Sequence, residues 1–312
     1  MRYTTLIYSI LFACLSLGMF AQQDPQYTQY MYNTQVFNPA YSGNKEIFSA
    51  GLLYRTQWVG VEGAPKTATL TLDKPVGSSK NMGLGLSIIH DEVGIAKQTD
   101  IAVDYAYSIM LTYTTKLSFG VKAGFDVLDV DFNKLDIYNP DDPLFQDNID
   151  NRWQPKIGAG LYLNTERLYV GLSVPNFLET KHFDKGKTEG FHSVASERMH
   201  YYLIAGYVFD LSHAVKLKPA TMIKAVAGAP LQVDVSANFL IHEKLTLGTA
   251  WRWDAALSAM AGFQIKPGLF IGVGYDYQLN SDLAKHSDGS YEFILRFDLI
   301  NEVERILTPR FF

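Results

Sequence analysis

Apolar and polar residues alternate with a period of two along most of the chain. In the stretch 101–109, Ile101 and Val103 share one parity, whereas Ala102 and Asp104 share the other. Similar alternation recurs at 116–127, 231–239, 269–279 and 291–299. Because successive side chains of a strand point to opposite faces, these segments predict β-strands with one apolar and one polar face.

The alternating segments and the turn residues between them predict an all-β protein with fourteen strands. The predicted strands are 47–58, 66–75, 82–90, 98–110, 115–127, 154–164, 167–175, 199–210, 214–225, 230–241, 244–253, 256–265, 268–278 and 290–299. A soluble β-sandwich and a transmembrane barrel both alternate in this way, so the strands alone leave the choice open.

The connections between the predicted strands fall into two classes. Those after even-numbered strands are tight, as at 165–166 and 242–243. The long ones follow odd-numbered strands and cover 128–153, 176–198 and 279–289. Short turns at one end, longer loops at the other and an even strand count are typical of bacterial outer-membrane barrels. The sequence therefore predicts one antiparallel transmembrane β-barrel of about fourteen strands.

Composition supports the barrel. The chain has 19 Tyr, 19 Phe and 24 Gly, and its mean hydropathy is −0.02, as expected when residues alternate between lipid and a polar lumen. Four tryptophans fall at or near strand ends, where aromatic girdles meet lipid head groups, although a soluble core would also hold them. They are Trp58, Trp153, Trp251 and Trp253. The net charge of −5 gives no basic footprint for nucleic acid, so the predicted surroundings are a lipid bilayer.

Residues 1–21 predict a cleaved signal peptide. Arg2 supplies the positive charge, 6–20 form an apolar stretch, and Ala21 is a small residue at the cleavage point. The only cysteine, Cys14, is either an ordinary apolar residue of this signal or a lipidation site. With the conventional cut the mature chain has no cysteine, which excludes disulfides and thiolate metal sites.

Specific motifs cluster near the start of the mature chain. They read Asp24-Pro25-Gln26-Tyr27-Thr28-Gln29-Tyr30-Met31, Phe37-Asn38-Pro39-Ala40-Tyr41-Ser42-Gly43, Tyr54-Arg55-Thr56-Gln57-Trp58-Val59-Gly60 and Gly63-Ala64-Pro65-Lys66-Thr67. These runs resemble the PorP/SprF family of Bacteroidota outer-membrane proteins, which work with the type IX secretion system. Later matches are Tyr275-Asp276-Tyr277, Gly289-Ser290-Tyr291-Glu292 and Pro309-Arg310-Phe311-Phe312, so the resemblance covers the chain from Asp24 to Phe312.

The resemblance implies a barrel of FadL-like size in the outer membrane, with a role in exporting or holding very large surface adhesins, including those used in gliding. SprF-type members engage the C-terminal domain of one adhesin. PorP-type members associate with the periplasmic secretion ring and with peptidoglycan. The chain fits either type, and its modest loops favour a dedicated adhesin partner. Both termini are expected in the periplasm.

The patterns divide the chain into a signal peptide (1–21), an N-terminal segment (22–45), the barrel (46–299) and a C-terminal tail (300–312). The N-terminal segment is too short for a domain, and its aromatic residues argue against a solvated leader. We expect an ordered plug in the barrel or a docking strip at its periplasmic mouth. The candidate docking or lumen residues are Asp24, Pro25, Gln26, Tyr27, Gln29, Tyr30, Asn38, Pro39, Tyr41, Arg55, Gln57, Trp58, Gly63, Pro65, Asp276 and Glu292.

Charged residues recur at the parity expected to face the lumen. They are Arg55, Asp73, Asp104, Lys122, Asp126, Asp234, Arg252, Asp276, Glu292 and Arg296. A charge at such a position is tolerated only if it is solvated or paired. Two interpretations stay open, namely ion pairs that fill a closed barrel and contacts to a plug or an inserted partner segment.

The long connection 128–153 carries seven aspartates, at 129, 131, 136, 141, 142, 147 and 150. Carboxylates at this density could bind Ca²⁺, but EF-hand spacing is absent and a solvated acidic loop is favoured, so no metal site is predicted. Together with 176–198 this loop is expected to meet an extracellular partner. The candidate contacts are Asp136, Tyr138, Asp141, Asp142, Phe145, Phe183 and Phe191.

The sequence lacks the Gly-x-Ser-x-Gly, His-Glu-x-x-His and phosphate-loop spacings, so neither an enzyme nor a cofactor is predicted. Two functions compete with the adhesin partner. One is a FadL-like transporter of hydrophobic molecules, with residues 22–45 as its hatch. The other is a general porin.

Overall fold

The computed structural model describes residues 25–134, 148–178, 198–279 and 284–300. Fourteen antiparallel strands account for most of them. These are β1 Ser49–Thr56, β2 Lys66–Val76, β3 Met82–Val93, β4 Ala96–Met110, β5 Lys116–Val130, β6 Ile149–Asn164, β7 Leu168–Val174, β8 His200–Tyr207 continued by Phe209–Asp210, β9 Val215–Val226, β10 Gln232–Ile241, β11 Leu245–Arg252, β12 Ala256–Lys266, β13 Leu269–Gln278 and β14 Ser290–Asp298.

Each strand pairs with its neighbours in the chain, and β14 pairs with β1, so the sheet closes on itself. The closing seam places Arg55 of β1 opposite Glu292 of β14. Both pieces of β8 pair with β9, and Val208 lies between them, which makes β8 one strand with a local irregularity. The predicted closed barrel of fourteen antiparallel strands is confirmed. Closure matters physically because an open sheet edge in lipid leaves backbone groups unpaired.

The alternation in the sequence becomes the two faces of the barrel wall. On β4, Val103 and Tyr105 are 52% and 42% exposed, whereas Ala102 and Asp104 are 1% and 0% exposed. The outward face is an apolar belt that continues around the strands, and the inward face carries small and polar residues together with some large ones such as Tyr202 and Phe270. A belt of this kind suits lipid contact on the outside and a polar interior.

The long connections follow odd-numbered strands, as predicted, although the β3–β4 connection at the same end is only Gly94-Ile95. The tight turn between β10 and β11 has positive φ at both His242 and Glu243, as a type I′ hairpin turn requires. Gly268 in the β12–β13 turn has φ +82°, and a Cβ there would lie 2.1 Å from the carbonyl oxygen of Asp298. We call the end of the barrel with these turns the short-turn end and the opposite end the long-loop end.

The segment 128–153 differs from the prediction at both of its ends. Strand β5 continues to Val130 and β6 begins at Ile149, so part of the expected loop is paired sheet. Leu128, Val130 and Phe132 form a small apolar cluster there. The apolar residues change parity here, from Phe125 and Val127 to Leu128, Val130 and Phe132, and this change hides the extension of β5 in the sequence.

In the part of the chain that the structure describes, helical structure is limited to single turns. Before β1 the chain makes 3₁₀ turns at Tyr30–Tyr32 and Pro39–Tyr41 and one α-helical turn, Thr34–Phe37. The Asn38 side chain caps the Pro39–Tyr41 turn by accepting a hydrogen bond from the Ala40 N–H at 3.0 Å. Within the described ranges, no helix is long and apolar enough to cross a membrane.

Candidate functional site: a plugged lumen

Of the residues that precede β1, those that the structure describes lie inside the barrel. We call residues 25–48 the plug segment. Tyr27, Tyr30 and Ala40 are at most 2% exposed, although they belong to no strand. Their burial arises from contact with the inward faces of strands around the barrel, because this segment is too short to form a core by itself.

The plug segment runs along the barrel axis. Thr28 lies beside Asp276, two positions from the long-loop end of β13. Gly43 donates its N–H to Asp73 of β2, three positions from the short-turn end, at 2.9 Å. The chain therefore descends the lumen from the long-loop end to the short-turn end, where β1 begins at Ser49.

A buried cluster of charges holds the first turn of the plug segment. Arg55 donates from Nη2 to Asp276 at 2.6 Å and from Nη1 to Glu292 at 3.1 Å. The Thr28 and Gln29 backbone N–H groups donate to the two oxygens of Glu292 at 2.9 and 2.8 Å. The Thr28 hydroxyl donates to Asp276 at 2.6 Å and accepts from Arg55 at 3.0 Å. We call these five residues the Arg55 cluster.

The Arg55 cluster depends on both the wall and the plug. Arg55, Asp276 and Glu292 are at most 1% exposed, so their charges have left water. One guanidinium faces two carboxylates, which leaves one negative charge for the plug's N–H and O–H donors to stabilise. Hydrogen bonds to ionised groups are the strong ones, and their loss inside a dry site is costly.

A second cluster holds the middle of the plug segment. Lys122 Nζ lies 3.3 Å from Asp104 Oδ1, and both side chains are buried. The Gln35 amide donates to Asp104 Oδ2 at 3.2 Å and to the carbonyl oxygens of Leu72 and Leu86. Lys122 also donates to the carbonyl oxygen of Val36 at 3.4 Å. An ion pair of the wall thus binds the helical turn of the plug.

Further contacts fix the plug segment at the short-turn end. Lys45 pairs with Asp298 at 2.9 Å, and the Ser49 hydroxyl donates to the same carboxylate at 2.7 Å. Glu46 pairs with Lys116 at 3.0 Å. The segment is therefore held at its start, middle and end.

Glycines in the wall make room for the plug backbone. A Cβ on Gly83 would lie 2.0 Å from the carbonyl oxygen of Ser42, and one on Gly120 would lie 2.1 Å from the Ala40 nitrogen. No real Cβ approaches backbone atoms this closely. The absence of side chains at these inward positions lets the plug lie directly against the sheet.

Aromatic side chains complete the packing inside the lumen. Phe37 contacts Tyr27 and Tyr202 with ring centroids 5.6 and 5.0 Å apart, and Tyr41 contacts Tyr162 at 5.5 Å. Burial raises the pKa of the Tyr27 hydroxyl well above its usual value. The pKa of Tyr30 is raised for the same reason.

Other predicted candidates shape the β1–β2 connection. Gln57 donates its N–H to the carbonyl oxygen of Pro65 at 2.9 Å, and its side-chain oxygen accepts from Arg55 at 3.4 Å. The Trp58 N–H donates to the Ser290 hydroxyl at 3.1 Å. Gly63 has φ +70° and lies against Gly94. These contacts of Gln57, Trp58 and Gly63 order the connection between β1 and β2.

The remaining predicted sites are described in part. Asn38 donates to the Leu161 carbonyl oxygen at 2.9 Å, with Pro39 and Tyr41 in the turn that follows, whereas Pro25 and Gln26 are only half-buried. The signal peptide, the tail after Ile300, Asp24 and every predicted loop contact lie outside the described residues; these contacts are Asp136, Tyr138, Asp141, Asp142, Phe145, Phe183 and Phe191. Residues 135–147, the centre of the acidic segment 128–153, lie outside them too.

The lumen charges fit both interpretations left open by the sequence. Arg252 and Asp234 pair at 2.7 Å as a contact within the wall, whereas the Arg55 cluster includes the plug. The alternation of residues in the sequence did not identify Thr28, Gln35 or Tyr202 as residues that hold the plug in the lumen. The inward glycines were a signal that something lies close to the wall. Among the described residues, no group of three His, Cys, Asp or Glu side chains is arranged to hold a metal ion.

A closed fourteen-stranded wall with an apolar outer belt and a plugged polar interior defines a transmembrane β-barrel of the outer-membrane class. The family described as type IX secretion system membrane protein PorP/SprF matches residues 19–297, and the chain belongs to it. Family and fold are those of a secretion-associated outer-membrane barrel and of no known enzyme class.

Solved barrels with low sequence identity are similar in outline. Omp33 of Acinetobacter baumannii is 9% identical with a TM-score of 0.45, over 81% of this chain and 98% of that one. A Pseudomonas aeruginosa FadL homologue is 12% identical with a TM-score of 0.48, over 88% and 95%. The CymD monoaromatic hydrocarbon channel is 10% identical with a TM-score of 0.48, over 90% and 94%. No curated protein matches the chain.

Proposed function

We propose that this barrel supports export or surface anchoring of one large adhesin of the type IX secretion system, as SprF-type proteins do. Docking to the periplasmic secretion ring, as in PorP-type proteins, is the second form of the same proposal. Family membership supplies the secretion context. The observation that carries the docking role is the lumen filled by the chain's own plug segment.

A filled lumen favours docking over transport. Ion pairs lie beside the plug segment at three levels, two of them buried and the Lys45–Asp298 pair partly buried, so opening a path would break several charge-assisted hydrogen bonds together. A transporter of hydrophobic molecules needs an apolar channel, whereas the lumen positions beside the plug carry Asp104, Lys122 and Asp276. A barrel whose lumen is filled in this way acts by binding partners at its two ends.

We propose that the short-turn end faces the periplasm and the long-loop end faces outward, as in other outer-membrane barrels. β14 then ends on the periplasmic side. The plug segment enters β1 from that side, and its first described residues lie near the outward mouth. The loops 128–153 and 176–198 are the proposed contact surface for the adhesin or its C-terminal domain.

Affinity purification of the tagged protein after cross-linking in intact cells tests the proposal. We expect one very large secreted protein to co-purify, and its cross-links to map to the long-loop end. Cross-links to periplasmic secretion or peptidoglycan-associated proteins at the short-turn end would select the PorP-type form. Recovery of neither class, together with a steady ionic current through the purified barrel, would establish a porin and contradict the proposal.

A further inference from the structure

A polar cavity of about 70 Å³ lies at the short-turn mouth, between the plug segment and the wall. Its position follows from its lining, since Lys244 and Thr246 adjoin the β10–β11 turn and Gln264 and Phe270 adjoin the β12–β13 turn. Tyr32 of the plug and Arg296 of β14 complete the site. One water needs roughly 10–15 Å³ by this measure, so the cavity has room for a small polyatomic group.

Arg296 is the main recognition group of this cavity. Its guanidinium carbon lies 5.5 Å from the ring centroid of Tyr32 and 5.9 Å from that of Phe270, so two aromatic faces fix its plane. Nε lies 3.4 Å from Asp298 Oδ2 without forming a hydrogen bond. Nη1 is buried and also lacks an acceptor among the residues that the structure describes. Buried donors of this kind call for an acceptor.

The lining of the cavity carries two cations, Arg296 and Lys244, against one carboxylate, Glu243. Asp73 and Asp298 face Arg296 from outside the lining. Asp298 is shared between Arg296 and Lys45, which is closer to it at 2.9 Å. The carboxylate of Glu243 also lines the cavity but is largely exposed and faces Lys216 at 3.6 Å. Lys244 adds a further positive charge at the rim. The site therefore favours an anion over a cation or a neutral group.

We propose that this cavity binds a small oxyanion, either a carboxylate or a phosphate group, with Arg296 as its principal ligand. The guanidinium presents parallel N–H donors that match two oxygens of such a group. Lys244 contributes a point charge, and the Thr246 hydroxyl lies on the same wall. The site does not depend on the function proposed above.

The oxyanion site is shared between the plug and the barrel. Tyr32 forms one wall of the cavity, so the site is complete only while the plug segment is seated. A ligand that binds the seated state alone must stabilise it. A molecule that brings a carboxylate or phosphate to the short-turn mouth therefore favours the closed lumen.

Calorimetric titration of the detergent-solubilised protein with sodium phosphate and, separately, sodium acetate tests the site. Sodium chloride at equal ionic strength is the reference. We expect saturable binding of at least one anion. Arg296→Gln should weaken it at least tenfold, and Lys244→Gln severalfold. Lys266→Gln is the matched control, because it removes an exposed cation from the same end that does not line the cavity.

The two anions identify the source of the ligand. Binding of phosphate alone indicates a phosphorylated ligand, and binding of acetate indicates a carboxylate ligand such as an acidic peptide. Absence of saturable binding to the wild-type protein would overturn the proposal. An equal loss in Lys266→Gln and Arg296→Gln would also overturn it, because diffuse charge would then explain the effect. Lys244 lies on an exposed turn, so its variant keeps the test valid if Arg296→Gln misfolds.

Discussion

Arg55 provides the sharpest test of how the plug is held. The Arg55→Ala variant leaves Asp276 and Glu292 buried beside each other without their cation, while the plug remains seated above them. Removing one partner of a buried ion pair costs about 3–5 kcal/mol. When the plug leaves, water can solvate both carboxylates and the penalty disappears. The variant should therefore destabilise the seated plug specifically.

This cost can be converted into a population. Each 1.4 kcal/mol is a factor of ten, so the fraction of molecules with an unseated plug should rise roughly a hundredfold to a few thousandfold. A Thr34→Cys substitution provides a reporter, because Thr34 lies in the plug and is 3% exposed. Alkylation of this cysteine by a maleimide follows the open population when reclosing is fast.

Arg167→Ala is the matched control for this experiment. Arg167 pairs with Asp210 at 2.6 Å, but both side chains are substantially exposed and neither touches the plug. Exposed pairs contribute about 0–1 kcal/mol, so alkylation should stay near the wild-type rate. If Arg55→Ala folds into a heat-modifiable barrel and its reporter reacts as slowly as in the wild type, the Arg55 cluster does not hold the plug.

Three further outcomes follow. Gly120→Ala forces a Cβ onto the plug backbone at a cost of about 1–3 kcal/mol, so the reporter should react faster; an unchanged rate contradicts the close approach. Val121→Arg puts a charge on the lipid face and should lower unfolding free energy in urea by about 2–4 kcal/mol; a neutral effect contradicts the membrane assignment. Tyr27 and Tyr30 have raised pKa values, so the seated plug should keep its stability below about pH 10 and lose it above, with delayed ionisation at 295 nm; a late phase of the same size in Tyr27→Phe contradicts this.

The barrel could be predicted because its signal is local. A residue's parity within a strand decides whether it faces lipid or lumen, and a stretch such as 101–109 contains that information by itself. Tight turns punctuate the strands in the same local way. The strand extension at 128–130 was missed because the apolar residues change parity at Leu128. The extension at 149–153 was missed because Asp150, Asn151 and Arg152 follow each other without an apolar residue.

The plug contacts could not be predicted from such patterns. Thr28 and Asp276 are 248 positions apart, and no periodicity relates them. The sequence indicated that residues 22–45 were ordered, but it left open whether they lie in the lumen or at its mouth. Their direction depends on closure of the sheet, which brings β13, β14 and β1 together around Thr28.

The most direct test of the proposed function is deletion of the gene followed by quantitative mass spectrometry of proteins at the cell surface. The account predicts that one very large protein with a type IX export domain is lost from the surface, while other secreted proteins remain. Expression of the intact chain should restore it. An unchanged surface, with reduced uptake of hydrophobic molecules, would contradict the adhesin role and support a transporter.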